Sequence, residues 1–134
     1  MNVIIDTNLW ISFILCKKLD VLQKILMNPA IDVYVCDELV NEFVRVLSKP
    51  KILKRSVYEN ARGVHELLRS HCRHVQILKQ AVSPIRDPND LYLLSLAETV
   101  SADFVITGDK DLLALQRHAG TRIVTCAEFN DITN

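Results

Sequence analysis

The sequence predicts an α/β protein, a three-layer α/β/α sandwich built on a mainly parallel sheet. Two observations carry that expectation. Three short apolar runs, Val3 to Ile5, Val33 to Cys36 and Phe104 to Ile106, are each closed by polar residues that open a helical segment. Strands that alternate with helices need crossover connections, and crossovers produce parallel pairing with helices on the sheet faces.

Taken in order, Val3 to Ile5 is too short for a helix and ends at Asp6-Thr7-Asn8, so a buried strand feeds a helix over Leu9 to Cys16. A second helix covers Val21 to Met27. Val33 to Cys36 repeats the strand pattern, with Asp37-Glu38 opening a helix over Glu38 to Leu47 that Pro50 ends. Val57 to Cys72 reads as a long helix and Val75 to Leu78 as a further strand. Pro84 and Pro88 bracket the turn before a helix over Leu91 to Val100. Its Leu91 to Ala97 part is apolar nearly all round and belongs between the sheet and other helices. Phe104 to Ile106 ends in Thr107-Gly108-Asp109, a helix follows over Lys110 to Arg117, and Ile123 to Val124 supplies a last strand.

At 134 residues and 49% hydrophobic, the chain suits a single domain spanning 1–134 around one core. No stretch is repetitive or rich in Gly and Ser, so function is expected in the fold itself. The apolar run Val3 to Cys16 is interrupted by Asp6 and Asn8, and Lys17-Lys18 follows it instead of preceding it. That pattern is neither a signal peptide nor a membrane span. Cys16, Cys36, Cys72 and Cys126 are far apart and form no CxxC pair, which gives no disulfide framework or zinc ribbon and fits a reducing cytoplasm. Gly63, Gly108 and Gly120 are the only glycines, so a Gly-rich phosphate cradle and a dinucleotide fingerprint are both excluded.

Sixteen basic residues balance sixteen acidic ones. A neutral chain argues against a nucleic-acid partner, because phosphate binding draws on a positive field. The charges are unevenly spread, however. Arg45, Lys49, Lys51, Lys54, Arg55, Arg62, Arg69 and Arg73 face only Glu59 and Glu66 in their stretch, whereas from Asp90 onward seven acids outnumber Lys110, Arg117 and Arg122. A charge run by itself is an ordinary solvated helix face.

Four acids are placed to converge. In open parallel sheets ligands bind beyond the carboxyl ends of the strands. Asp6 and Asp109 lie just past two such ends, and Asp90 opens a helix. On a helical wheel Leu39, Val40, Phe43, Val44 and Leu47 form the buried stripe of the third helix, with Glu42 at its border beside Val46. Each acid alone has a plainer reading: Asp6, Asp90 and Asp109 as helix caps, Glu42 as a surface glutamate. Four together on one side of one sheet are harder to explain as caps.

These residues, with Asp87-Pro88-Asn89-Asp90 ahead of an apolar helix and Ala102 to Leu113 reading ADFVITGDKDLL, resemble the PIN-domain family, in particular its bacterial toxin components of toxin–antitoxin pairs. The likeness runs from Met1 to about Phe129. It implies Mg²⁺ or Mn²⁺ held by Asp6, Glu42, Asp90 and Asp109, and endonucleolytic cleavage of single-stranded RNA. Asn8 and Thr107 match supporting positions, and Asp111 is a further acid. An antitoxin protein and homodimers are implied as partners. Many relatives carry an acid or polar residue directly after Asp90, where this chain has Leu91.

The chemistry is consistent with that likeness. Clustered carboxylates repel one another, and hard divalent cations relieve the repulsion through oxygen ligands. Set the four acids aside and sixteen basic residues face twelve acidic ones, so a metal-neutralised protein presents a positive surface. Arg45, Lys49, Lys51, Lys54 and Arg55 are then the expected RNA contacts.

An aspartyl-nucleophile phosphatase usually wants a second Asp two residues after the first, where this chain has Asn8. His65, His71 and His74 with Cys72 fall in the basic helical region and read as solvent-facing side chains in preference to a zinc site. No GxSxG elbow is present. The remaining alternative is a PIN-like module that binds RNA or protein without cutting, its metal site degenerate.

Overall fold

The computed structural model describes residues 1–16, 18–53, 58–85 and 87–133. Six strands form one sheet in the order β3-β2-β1-β4-β6-β5. They are β1 (Asn2–Ile5), β2 (Asp32–Val35), β3 (Arg73–His74), β4 (Phe104–Ile106), β5 (Arg117–His118) and β6 (Thr121–Val124). Every pairing is parallel except that of β5 with β6, so the sheet is mainly parallel as expected.

The central strands β1 and β4 are buried almost throughout, which a parallel strand covered on both faces requires. Helices supply that cover. On one side α1 (Thr7–Leu15) packs against α2 (Leu19–Leu26), α3 (Asp37–Leu47) and α5 (Tyr58–His71). Elsewhere α6 (Pro88–Val100) packs against β1 and β4, and α7 (Lys110–Leu115) against β6. The α6 stretch Leu93 to Ala97 is buried, as its all-round apolar character predicts. Two short helices complete the chain: α4 (Pro50–Leu53), with Pro50 at its first position, and α8 (Cys126–Thr133).

Several sequence expectations are corrected. Val75 to Leu78 is not a strand; β3 is Arg73–His74, in register with Tyr34 and Val35 at the end of β2, and the pairing closes with Val75 N–H on the Val35 carbonyl at 3.0 Å. The seventh helix stops at Leu115, since Gln116 takes φ 60° and turns the chain into β5, which claims Arg117. Val44 stands 43% exposed instead of joining the buried stripe of α3, which centres on Leu39 and Phe43. His65 is partly buried and stacks on Phe43, with ring centroids 6.5 Å apart, so it does not face solvent freely. The fourth predicted helix, from Val57, begins at Tyr58 among the described residues, and no helix among them is long and apolar enough to cross a membrane.

Candidate active site

The parallel register places the ends of β1 and β4 side by side, with Ile5 opposite Ile106. The residues that follow, Asp6 and Thr107, therefore emerge together at the carboxyl edge. Asp6 N–H extends the ladder to the Ile106 carbonyl at 2.9 Å, and Thr107 N–H does the same to Val124. Asp6 is only 3% exposed. A buried carboxylate needs hydrogen bonds, and two reach it: Thr107 Oγ1 donates to Oδ2 at 2.7 Å and Asn8 N–H to Oδ1 at 3.4 Å. Burial nevertheless raises its pKa, aided by the nearby charge of Asp109 and opposed by those two hydrogen bonds.

Asp109 caps α7, its Oδ1 accepting from Asp111 N–H at 2.8 Å and Leu112 N–H at 3.1 Å. Its own N–H donates to Thr107 Oγ1 at 3.0 Å. Thr107 thus links the two aspartates through one hydroxyl. Asp6 also caps its helix, α1, so cap and cluster member are one residue in both cases.

Glu42 is brought in by α3. The ring of its neighbour Phe43 meets Trp10 edge-on at 6.4 Å, and Trp10 Nε1 donates to the Ile5 carbonyl at 3.1 Å, so α3 is pinned to the start of α1 beside Asp6. Tyr92 on α6 donates its hydroxyl proton to Glu42 Oε2 at 2.8 Å and lies 3.0 Å from Thr7 Oγ1. Burial and the charges of Glu42 and Asp6 push the Tyr92 phenol well above its ordinary range.

Asp90 is the third residue of α6, not its cap. That position belongs to Asp87, whose carbonyl accepts from Asp90 and Leu91, with Pro88 opening the helix. The Asp90 pKa rises from 3.8 to about 7, through desolvation first and then the charges of Asp109, Asp87, Asp6 and Glu42. The three other predicted acids all act on Asp90, together with Asp87. Asp87, Asp90 and Asp111 also line one cleft of about 380 Å³.

Asn8 contributes its backbone amide while its residue is exposed, and Asp111 is exposed at the cleft. Leu91, the departure from the family pattern, is partly buried against the core. Among the described residues no three His, Cys, Asp or Glu side chains close around a single point, and this holds for the four acids as it does for His65, His71, Cys72 and His74. Burial pushes the Cys36 and Cys72 thiols up to about 12, which leaves neither as a ready nucleophile. Of the expected RNA contacts, Arg45 and Lys49 are exposed, Lys51 lies in α4, and Lys54 and Arg55 lie outside the described residues.

Tyr92 escaped the sequence reading, and Asp87 entered it only within the Asp87-Pro88-Asn89-Asp90 stretch, with no role at the site. Tyr92 was the one aromatic side chain on a largely apolar helix, and Asp87 stood directly before Pro88; each was a usable signal.

A family model described as PIN domain matches residues 2–111. No curated protein matches the sequence significantly. Among solved structures, VapBC2 from Rickettsia felis, bound to a DNA fragment from its promoter, is similar with a TM-score of 0.59 and 14% identity over 92% of this chain and 97% of that one. The PIN domain endonuclease Utp24 is similar with a TM-score of 0.55 and 19% identity over 91% and 82%. At these identities the likeness is one of fold.

Proposed function

The chain belongs to the PIN-domain family, and from that membership we propose that it is a metal-dependent endoribonuclease, hydrolysing single-stranded RNA as the toxin of a toxin–antitoxin pair. The observation that carries the reading is that Asp6 and Asp109, at the carboxyl ends of the paired strands β1 and β4, are joined through the Thr107 hydroxyl. Uncompensated carboxylates at one sheet edge are costly unless a cation balances them. The likeness to Utp24 supports endonucleolytic cleavage, and the likeness to VapBC2 supports a toxin with an antitoxin partner. A cytoplasmic location and homodimers belong to the same proposal.

The donor set fits Mg²⁺ or Mn²⁺. All the donors are hard oxygens, the ligand chemistry of an ion that keeps several waters and takes one or two carboxylates directly. Asp6, Glu42, Asp90 and Asp109 would hold it, and when bound it supplies an activated water and charge stabilisation at the phosphate. The chain's own residues set the frame: Thr107 fixes Asp6, Tyr92 fixes Glu42, and the first turn of α7 fixes Asp109.

The test is cleavage of single-stranded RNA by purified protein with and without Mn²⁺, with Asp6→Asn as control. Cleavage that needs both the ion and Asp6 supports the reading; Mn²⁺-independent cleavage, or none, overturns it. The open spacing of the acids favours one rival, a non-cutting module that binds RNA or protein. That rival predicts no rise in melting temperature with Mn²⁺, whereas an intact site predicts a rise.

A further inference from the structure

A second groove, of about 580 Å³, lies between α7 and the β5–β6 hairpin, lined among others by Leu115, Gln116, Arg117, Arg122, Thr125 and Glu128. Arg117 and Arg122 are direct partners across the antiparallel β5–β6 pair. Residues so paired project to the same side of the sheet, and like charges there are destabilising. The hairpin carries a further local cost, since Gln116 and Ala119 adopt φ 60° and 52° without being glycine. Sequences that break local rules in this way usually do so at functional sites.

Neither arginine forms an ion pair among the described residues, whereas Arg69 pairs with Glu66 at 3.7 Å and Arg73 with Asp32 at 3.2 Å. The acid in the groove, Glu128, is engaged in capping α8, its Oε1 accepting from Thr125 Oγ1 at 3.1 Å and from Thr125 N–H at 3.4 Å. The Arg122 guanidinium lies 5.6 Å above the centre of the Phe104 ring, which holds it in place without cancelling its charge. Leu115 lines both this groove and the cleft of Asp87, Asp90 and Asp111.

We propose that this groove is a backbone-phosphate subsite for the RNA strand, with Arg117 and Arg122 as its ligands. The inference rests on the nuclease reading and deepens it. Guanidinium forks match phosphate oxygens two at a time. Leu115, shared by the two hollows, marks the route along which a strand leaving the carboxylates would reach the two arginines. This site is separate from the Arg45 to Arg73 stretch, where Arg69 and Arg73 form exposed pairs with Glu66 and Asp32.

The experiment compares wild type with Arg117→Gln/Arg122→Gln, using a fluorescein-labelled single-stranded RNA oligonucleotide. Anisotropy is read in EDTA across a potassium chloride series, and kcat and KM are read in Mn²⁺. Each phosphate contact on a single strand contributes about 0.7 to the slope of log affinity against log salt, so the double variant should lose about 1.4 from that slope. KM should rise while kcat holds. Arg117→Gln alone, expected to lose half as much, keeps the test valid if loss of the Phe104 contact unfolds the double variant. An unchanged slope and KM in variants that still cleave RNA would overturn the subsite and leave the nuclease reading standing. Failure of the wild type to cut RNA in Mn²⁺ would overturn both. Loss of binding to a hexaglutamate peptide, with RNA binding unaltered, would instead make the groove a protein-docking surface and overturn the proposal.

Discussion

Thr107 donates its hydroxyl proton to Asp6 Oδ2 at 2.7 Å, joining residues 101 positions apart in the chain. The same oxygen accepts the Asp109 N–H, so one buried threonine spaces two acids of the cluster. Thr107→Val keeps the shape and removes the hydroxyl. A hydrogen bond to a charged group contributes about 1.5 to 3 kcal/mol, and stability at neutral pH should fall by that order. Chemical denaturation measures the loss. Thr107→Ser should restore most of it, and Thr107→Val should also lower RNA cleavage in Mn²⁺.

Asp6→Asn is expected to separate function from folding. Asn caps a helix as well as Asp does, and the neutral amide escapes both the burial cost and the repulsion from Asp109 that raise the Asp6 pKa. Melting temperature in EDTA should equal or exceed that of the wild type, while cleavage falls by at least about 100-fold. A large loss of stability in EDTA would mean that capping is the main task of Asp6.

Asp90 gives a pH signature. Its folded value is about 7 against an ordinary 3.8, so between those values the native protein keeps a proton that the unfolded chain has released. The metal-free protein should therefore lose stability as pH rises from about 4 to about 7 and level off above that. Asp90→Asn should flatten that part of the profile and be the more stable protein at about pH 8. Thermal melts in EDTA across this range decide the matter, and a wild-type profile that rises through the window would contradict it.

Much of this site was legible because strand ends are legible. Short apolar runs closing on Asp6 and on Thr107-Gly108-Asp109 fixed two acids, and the wheel of α3 brought Glu42 to the border of the buried face even though Val44 proved exposed. The β5–β6 hairpin was missed although Gly120 stands in its two-residue loop, because the positive φ values fall on Ala119 and on Gln116 just before β5, residue types that give no such signal. Register decided β3, where pairing with Tyr34 and Val35 selected Arg73 and His74 over the more apolar run that follows. The helix α8 was readable in principle, because Thr125 and Glu128 form a capping box.

Tyr92→Phe tests the other arm of the site. The phenol hydroxyl holds Glu42 Oε2 at 2.8 Å and sits 3.0 Å from Thr7 Oγ1. Its removal should cost about 1 to 2 kcal/mol of stability. A freed Glu42 carboxylate should also lower kcat/KM by roughly tenfold, since a small misplacement of a reacting group carries penalties of this size or more. Unchanged kinetics with the stability loss present would make Tyr92 purely structural.

Water attack and attack by the neighbouring 2′-hydroxyl ask different things of the site. The second route needs a base at the 2′-oxygen and an acid at the departing 5′-oxygen, work usually given to histidine. Here His65 stacks on Phe43, His74 contacts the Leu68 carbonyl and His118 bonds Glu98 at 2.9 Å, so these histidines are engaged away from the cluster. A carboxylate-held ion that activates water gives the 2′-hydroxyl no part. An RNA with a single 2′-deoxy sugar at the scissile position should therefore still be cut, within about tenfold of the parent rate, and the products should carry no 2′,3′-cyclic phosphate. Complete protection by that one substitution, or a cyclic phosphate seen by mass spectrometry, would assign the attack to the ribose itself.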